Sequence, residues 1–257
     1  MNNKHVDVSV VIPAFNEEAR LKELLDELMA VSKKSKLNAE FIIVDDGSVD
    51  ETAQLASAHP LVDRVVSFET NKGRASAIHA GFRASTGDFI AVFDADFEYL
   101  PEDLFKMLVS VSNPSAVYYG SRYLEQSNLR SGVWGFLRRM KNQGIGPWAA
   151  NAIIRTLVAL IFWKDYTEHF SGIRIYPRSF VVSYNWKSSG FEGDHEIAAA
   201  AIILGMRVIE VPVRYRPRST KEGKKIRAKD GLNAVLVFLS WRLFGSRFLE
   251  AQRVNEH

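Results

Sequence analysis

"NKGRASAIHAGFRASTGDFIAVFDAD", Asn71 to Asp96, changes its period halfway along. Up to Arg83 the small and apolar residues recur at helical spacing, whereas Phe89 to Phe93 is an unbroken apolar run of the kind buried on both faces of a sheet. Two carboxylates, Asp94 and Asp96, then stand one residue apart where burial ends. Left alone they repel each other, and each loses hydration, so the tip of this strand calls for a cation. A helix leading into a fully buried strand is the unit from which helix-covered parallel sheets are built.

The same unit repeats on either side. "VDVSVVIPAF" reads as a strand, "EEARLKELLDELMAVSKKS" as an amphipathic helix, "AEFIIVDDGS" as a strand, and "DETAQLASAHP" as a helix stopped by Pro60. "VDRVVSFE" and "SAVYYGSRY" continue the alternation beyond the opening stretch. The expected fold class is α/β, a Rossmann-like, mostly parallel sheet with helices on both faces. One domain is expected over 1–230, followed by an amphipathic C-terminal extension, 231–257. No internal repeat or low-complexity linker interrupts the chain.

Composition narrows the function classes. The 257 residues are 47% hydrophobic, enough for one large core. There is no cysteine, which excludes disulfides, thiolate zinc sites and thiol nucleophiles and fits a reducing, cytoplasmic setting. The N-terminal stretch lacks the apolar core of a signal peptide, and "AVLVFLSWRLF" is about half the ~20 residues of a membrane-spanning helix. Net charge is only +3, yet cations crowd into "RYRPRSTKEGKKIRAK", Arg214 to Lys229. That asymmetry points to an anionic ligand more than to nucleic acid. No G-x-G-x-x-G follows the first strand, which argues against a dinucleotide dehydrogenase.

In a parallel sheet the residues that follow each strand emerge on one edge, where ligands bind. Here three strand ends read "PAFNEE", "DDGSVDET" and "DADFE", so Glu17, Asp45, Asp46, Asp94 and Asp96 share one rim. Helix capping is the competing reading for some of them: Asp45 or Asp46 for the helix beginning near Asp50, and Asn16 or Glu17 for the helix after Pro13.

In order and spacing, "VSVVIPAFNEE", "IIVDDGSVDET", "NKGRASAIHAGFRASTGDFIAVFDAD" and "GSRY" resemble the inverting glycosyltransferases of family 2, which have the GT-A fold. The later "HFSGIRIYPRSF", "GFEGDHEI" and "VIEVPVRYRPRSTKEGKKI" narrow the resemblance to the polyprenyl-phosphate sugar synthases. The resemblance implies transfer of a sugar from a nucleotide-diphosphate sugar, a UDP- or GDP-sugar, to a dolichyl or undecaprenyl phosphate. Transfer to a sugar hydroxyl and a non-catalytic nucleotide-sugar binding module stand as alternatives. A nucleotidyltransferase would also grip a diphosphate with metal, but the glycine-rich start it needs is missing.

The resemblance also assigns roles. Asp94 and Asp96 would hold Mg2+ or Mn2+ on the donor diphosphate, with Glu98, where relatives often carry glutamine, as a third ligand or a solvated neighbour. Pro13, Phe15, Glu17, Val44, Asp46 and Ala95 would line the nucleotide pocket. Phe15 stands where relatives often have tyrosine. Lys72 and Gly73 would offer backbone amides to phosphate. Arg122, Arg218 and Lys224 match the positions that grip the acceptor phosphate. Lys225, Arg227 and Lys229 are expected to meet anionic headgroups.

A phosphate acceptor is already an anion, whereas a hydroxyl acceptor needs a carboxylate base. Asp194 and Glu196 are the candidates for that base; His195 between them reads as structural or surface. Trp134, Phe136, Trp148 and Trp163 lie in a stretch that suits either a bilayer surface or a core. The expected location is the cytoplasmic face of a membrane, held peripherally.

Overall fold

The computed structural model describes residues 7–124, 156, 158–163, 171–184, 186–190, 192–216 and 228–253. The strands are β1 (Val8–Ala14), β2 (Ala39–Asp45), β3 (Arg64–Ser67), β4 (Phe89–Phe93), β5 (Ala116–Ser121), β6 (Ile173–Pro177) and β7 (Arg207–Pro212). They form one sheet in the order β3-β2-β1-β4-β6-β5-β7. The helices used below are α1 (Glu18–Ser32), α2 (Thr52–Ala58), α3 (Arg74–Ala84), α4 (Pro101–Val109), α5 (Arg178–Val182), α6 (Glu192–Ile203) and α7 (Ala228–Arg253).

Alternation along the strands sorts the core into two layers. Val8, Val10, Ile12, Phe41, Ile43, Ala91 and Phe93 pack with Leu21, Leu24, Leu25 and Leu28 of α1 and with Leu104, Met107 and Leu108 of α4. Val11, Ile42, Val44, Ile90 and Val92 point the other way, onto Ala77, Ile78 and Phe82 of α3 and the alanine-rich face of α6. Strands covered on both faces have no solvent side, so their sequence shows no polar alternation.

β1, β2, β3 and β4 run parallel, with Ala14 beside Asp45 and Val11 beside Val92. The chain leaves β1 toward β2 and β3, then returns to place β4 on the other side of β1. This reversal opens a crevice at the carboxyl ends of β1 and β4, the usual ligand position in such sheets. β6 is antiparallel to both β4 and β5, pairing Phe93 with Ile173. Its amino end therefore reaches the same rim and sets Gly172 beside Asp94.

α7 begins at Ala228, so the boundary expected at 230/231 falls inside its first turn. Ala234, Phe238 and Trp241 lie one helical face apart and are buried in the second core layer, where α7 packs along α6. The C-terminal stretch is thus joined to the core rather than extending from it. Leu236, Leu239, Leu243 and Phe244 are left on its outer side. Among the described residues no helix is long and apolar enough to cross a membrane.

Candidate active site

Asp94 follows the last residue of β4, and its amide donates to the Gly172 carbonyl at 3.2 Å. The approach requires glycine: a Cβ on Gly172 would sit 2.8 Å from Asp94 Oδ2 and 2.7 Å from the Tyr99 ring. Asp96 lies in the turn that follows, where its Oδ1 accepts from the Glu98 amide at 3.0 Å. Phe97 between them holds a left-handed φ of 62°, a costly backbone for a bulky residue and one that recurs at binding sites.

Four charged side chains meet behind this turn. Arg74, the first residue of α3, sends Nη2 to Asp94 Oδ1 and Nη1 to Asp194 Oδ2, the latter at 2.6 Å. The other Asp194 oxygen pairs with Arg174 of β6, whose side chain is 1% exposed. Two guanidinium groups and two carboxylates thus balance in a largely water-free pocket. Burial alone would push the Asp194 carboxyl up, but Arg174 and then Arg74 outweigh it and hold it at about 2. For Asp94 burial prevails: helped by the charge of Asp96, it keeps the carboxyl above its ordinary value despite Arg74.

Neither arginine was among the sequence candidates, although each carries a signal. A cation in the first turn of a helix opposes the helix dipole, and Arg74 does so directly after the rim glycine. Arg174 interrupts the apolar run of "GIRIYP", and a cation buried in a strand requires a partner.

Several expected contacts are redirected. Asp46 is 4% exposed and binds inward, accepting from the Lys72 amide at 2.7 Å and the Gly73 amide at 3.0 Å. Those two amides are therefore engaged with Asp46 rather than open to phosphate. Gly73 has a φ of 95°, and a Cβ there would meet the Ser189 carbonyl oxygen at 2.4 Å, so only glycine fits. Val44 is fully buried in the sheet, and Ala95 is buried beside Asp94, so Val44 is packing rather than pocket lining. Pro13, Phe15 and Glu17 are half-buried at the end of β1, and the Lys72 ammonium lies 4.6 Å over the Phe68 ring.

The capping alternatives also resolve. Asn16, at a left-handed φ of 54°, accepts from the Val49 amide at 3.0 Å and ties the first rim loop to the second. Asp45 accepts from Ser48 at 3.1 Å, and Asp50, not Asp45 or Asp46, takes the Thr52 amide that opens α2 at 3.0 Å.

The two carboxylates proposed as bases part company. Asp194 is in the charge cluster, but Glu196 turns away and accepts from the Lys187 and Ser188 amides at 3.3 and 2.9 Å, bracing the loop before α6. His195 is buried with its ring 5.5 Å from that of Phe238.

Beyond this turn, Glu98 Oε2 accepts from the Tyr215 hydroxyl at 2.9 Å, and the Glu98 carbonyl accepts from the Arg216 amide at 2.8 Å. The guanidinium of Arg122 lies 4.6 Å over the Tyr215 ring. Glu98 is thereby tied to the segment that follows β7 and leads into the basic stretch, and it does not converge with Asp94 and Asp96 on one point. Arg218, Lys224, Lys225, Arg227, Trp134, Phe136 and Trp148 lie outside the described residues; Lys229 is in α7, and its side chain is outside them too.

Among the described residues no three carboxylates or imidazoles converge on one point. Mg2+ is usually bound by one or two carboxylates together with ligand phosphates rather than in an all-protein cage. Asp94 and Asp96, hard oxygen donors on one tight turn, have the right chemistry for it. A surface hollow of about 940 Å3 lies elsewhere, on the outer side of α1 and α2, and its acidic lining of Glu18, Glu23, Asp26, Glu27 and Glu51 would repel a diphosphate.

Comparison with known proteins agrees with this geometry. The profile described as Glycosyl transferase family 2 matches residues 9–173. The sequence is 31% identical over 229 residues to the dolichol-phosphate mannosyltransferase of Pyrococcus furiosus, covering 85% of this chain and 60% of that protein. It is 29% identical to the undecaprenyl-phosphate 4-deoxy-4-formamido-L-arabinose transferase of Edwardsiella ictaluri, covering 84% of this chain and 62% of the relative. The chain thus spans somewhat under two thirds of each of these relatives.

Among solved structures, glucosyl-3-phosphoglycerate synthase from Mycobacterium tuberculosis, crystallised with Mn2+, UDP-glucose and phosphoglyceric acid, superposes with a TM-score of 0.65. The identity is 18%, covering 92% of this chain and 80% of that one. Mannosyl-3-phosphoglycerate synthase from Rubrobacter xylanophilus gives 0.65 at 16% identity, covering 95% and 76%. At these identities the likeness is one of fold, and the fold is the GT-A-type sheet expected from the sequence.

Proposed function

We propose, from the premise that this chain belongs to glycosyl transferase family 2, that it moves a sugar from a nucleotide-diphosphate sugar to a polyprenyl phosphate by a single inverting displacement. The names of the relatives from Pyrococcus furiosus and Edwardsiella ictaluri support a lipid-phosphate acceptor. The observation that carries the proposal is the state of the two candidate bases. Both Asp194 oxygens are held by arginines and its carboxyl sits at about 2, while Glu196 is tied to backbone amides. A carboxylate so acidic is a poor proton acceptor near neutral pH. A phosphate nucleophile needs none.

In this reading Asp94 and Asp96 would hold the divalent ion, and Phe15 and Glu17 line the nucleotide end of the crevice. The Mg2+ or Mn2+, when bound, supplies charge neutralisation for the departing nucleoside diphosphate. Arg122, Arg216 and the basic segment beyond it orient the acceptor phosphate, so positioning carries most of the catalysis. The Glu98–Tyr215 bond ties the turn after Asp96 to the segment that leads into the basic stretch.

The enzyme reaches its lipid by lying on an anionic membrane surface, at the cytoplasmic face. Leu236, Leu239, Leu243 and Phe244 on α7 are exposed, and Trp163, 86% exposed, lies beyond the helical residues 158–162. Arg242 Nε donates to the Ile161 carbonyl at 3.1 Å, which makes the two apolar patches neighbours. The basic segment from Arg214 to Lys229 runs into the same helix and complements acidic headgroups.

The test is to incubate the protein with UDP- and GDP-sugars and either polyprenyl phosphates or sugar acceptors, identifying products by mass spectrometry. A glycosylated lipid phosphate is expected. Product formed on sugar hydroxyls alone would overturn the acceptor assignment.

A further inference from the structure

We infer that Arg74 is a built-in counter-cation that must release Asp94 before a divalent ion can bind, and that this exchange couples metal entry to arrival of the nucleoside diphosphate. The inference rests on the metal reading of Asp94 and Asp96. Its starting point is the occupation of Asp94. Oδ1 is taken by Arg74 Nη2, while Oδ2 faces Gly172 at a distance that leaves no room even for a methyl group. A metal approaching the open side of this carboxylate therefore meets the guanidinium first, and two cations cannot share that oxygen without strong repulsion.

Arg74 has somewhere to pivot. Its Nη1 is anchored on Asp194 at 2.6 Å, and Asp194 is itself fixed by Arg174 from the opposite side. Loss of the Asp94 contact thus swings one arm of the fork and leaves the other in place. The side chain is only 17% exposed, so a freed Nη2 cannot be satisfied by water alone. An anion delivered with the metal solves both problems: its oxygens complete the coordination of the ion and accept from the released arm. Metal alone gains a carboxylate but strands the guanidinium, whereas metal with a nucleoside diphosphate strands nothing. Thermodynamic linkage then requires that each raise the affinity of the other.

The experiment measures Mn2+ affinity of the full chain at constant pH, by electron paramagnetic resonance of the free ion, with and without UDP or GDP. For Arg74→Gln, which keeps a hydrogen bond to Asp194 and removes the competing charge, Mn2+ alone is expected to bind about tenfold more tightly than to wild type. The enhancement by nucleoside diphosphate should shrink by a similar factor. Arg74→Lys should fall between the two, because it retains the charge but not the fork. Unchanged or weakened Mn2+ binding by Arg74→Gln, with Asp94→Asn abolishing it, overturns the exchange and leaves the metal site standing. Mn2+ binding that survives Asp94→Asn overturns the metal reading and this inference with it.

Discussion

Tyr215 donates its hydroxyl to Glu98 at 2.9 Å while its ring lies beneath the Arg122 guanidinium, 4.6 Å away. One side chain thus touches both the loop that follows the paired aspartates and the cation proposed to meet the acceptor. Burial pushes the phenol well above its ordinary range, so it remains a donor throughout the working pH range. Tyr215→Phe is expected to raise KM for a lipid phosphate several-fold and to change donor affinity little. The stability loss should be about 1 kcal/mol, the usual net worth of one hydrogen bond. Steady-state kinetics with each substrate varied, together with a denaturant melt, check both halves.

Replacing Asp94 or Asp96 by Ala should remove at least a hundredfold of turnover and all metal-dependent donor binding, since charge neutralisation at the leaving group is worth several kcal/mol, roughly a hundredfold or more. Isothermal titration of a nucleoside diphosphate with and without EDTA reads the binding half directly. Full activity of Asp96→Ala in EDTA would refute the assignment.

Asp194→Asn should prove more damaging than an idle carboxylate would allow, because it leaves Arg174 buried without its counter-charge. Breaking a buried pair from one side costs about 3–5 kcal/mol. Adding Arg174→Met should restore part of that loss, a coupling that a double-mutant cycle in urea measures. The pH dependence has a definite sign. The folded carboxyl lies at about 2 against an ordinary 3.8. Its contribution is therefore complete above the unfolded value and is lost as pH falls through the interval toward 2. Stability of Asp194→Asn should fall less steeply over that interval than that of wild type.

Arg218→Ala should weaken use of a lipid phosphate ten- to a hundredfold, about 1.5–3 kcal/mol for a charge-assisted pair, while leaving donor affinity nearly unchanged. Arg218 lies two residues beyond Arg216, whose amide is already bound to the Glu98 carbonyl. Competition assays with a short-chain prenyl phosphate separate acceptor from donor effects.

Membrane attachment should depend on both charge and apolar area. The protein is expected to float with vesicles containing phosphatidylglycerol, to be released by high salt, and to bind them at least several-fold more weakly after combined Trp163→Ala and Leu243→Glu substitution. Flotation of the variant equal to wild type would assign the patch to something else.

How much of this was legible in the sequence follows from what is local. Phe89–Phe93 and Val8–Ala14 could be recognised because doubly buried strands are apolar along their whole length. The aspartates at the tip of β4 stood out because their position alone breaks that pattern. The direction of a side chain at a strand end was not legible. Val44 and Asp45 are the last two residues of β2 and Asp46 follows them, yet Val44 points into the core and Asp46 clamps the Lys72 and Gly73 amides. Glu98 and Glu196 were likewise given roles by residue type, and each is claimed by a partner that spacing does not reveal. The Arg74–Asp194 pair is 120 positions apart, so only the folded sheet brings it together.

The reversed direction of β6 has a further consequence, for how such an enzyme can be changed. β5 leaves the sheet at Ser121 on the rim, and the chain re-enters at Gly172 on that same rim because β6 runs antiparallel to its neighbour. The chain therefore leaves the sheet after Ser121 and rejoins it at Gly172 on one and the same rim. Val158 is buried in the second core layer and Phe162 packs on Phe238 of α7, so a graft between these rim ends that keeps both would leave Asp94, Arg74 and Asp194 in place while altering what can approach them. Acceptor choice could then be re-engineered without rebuilding the donor end of the crevice.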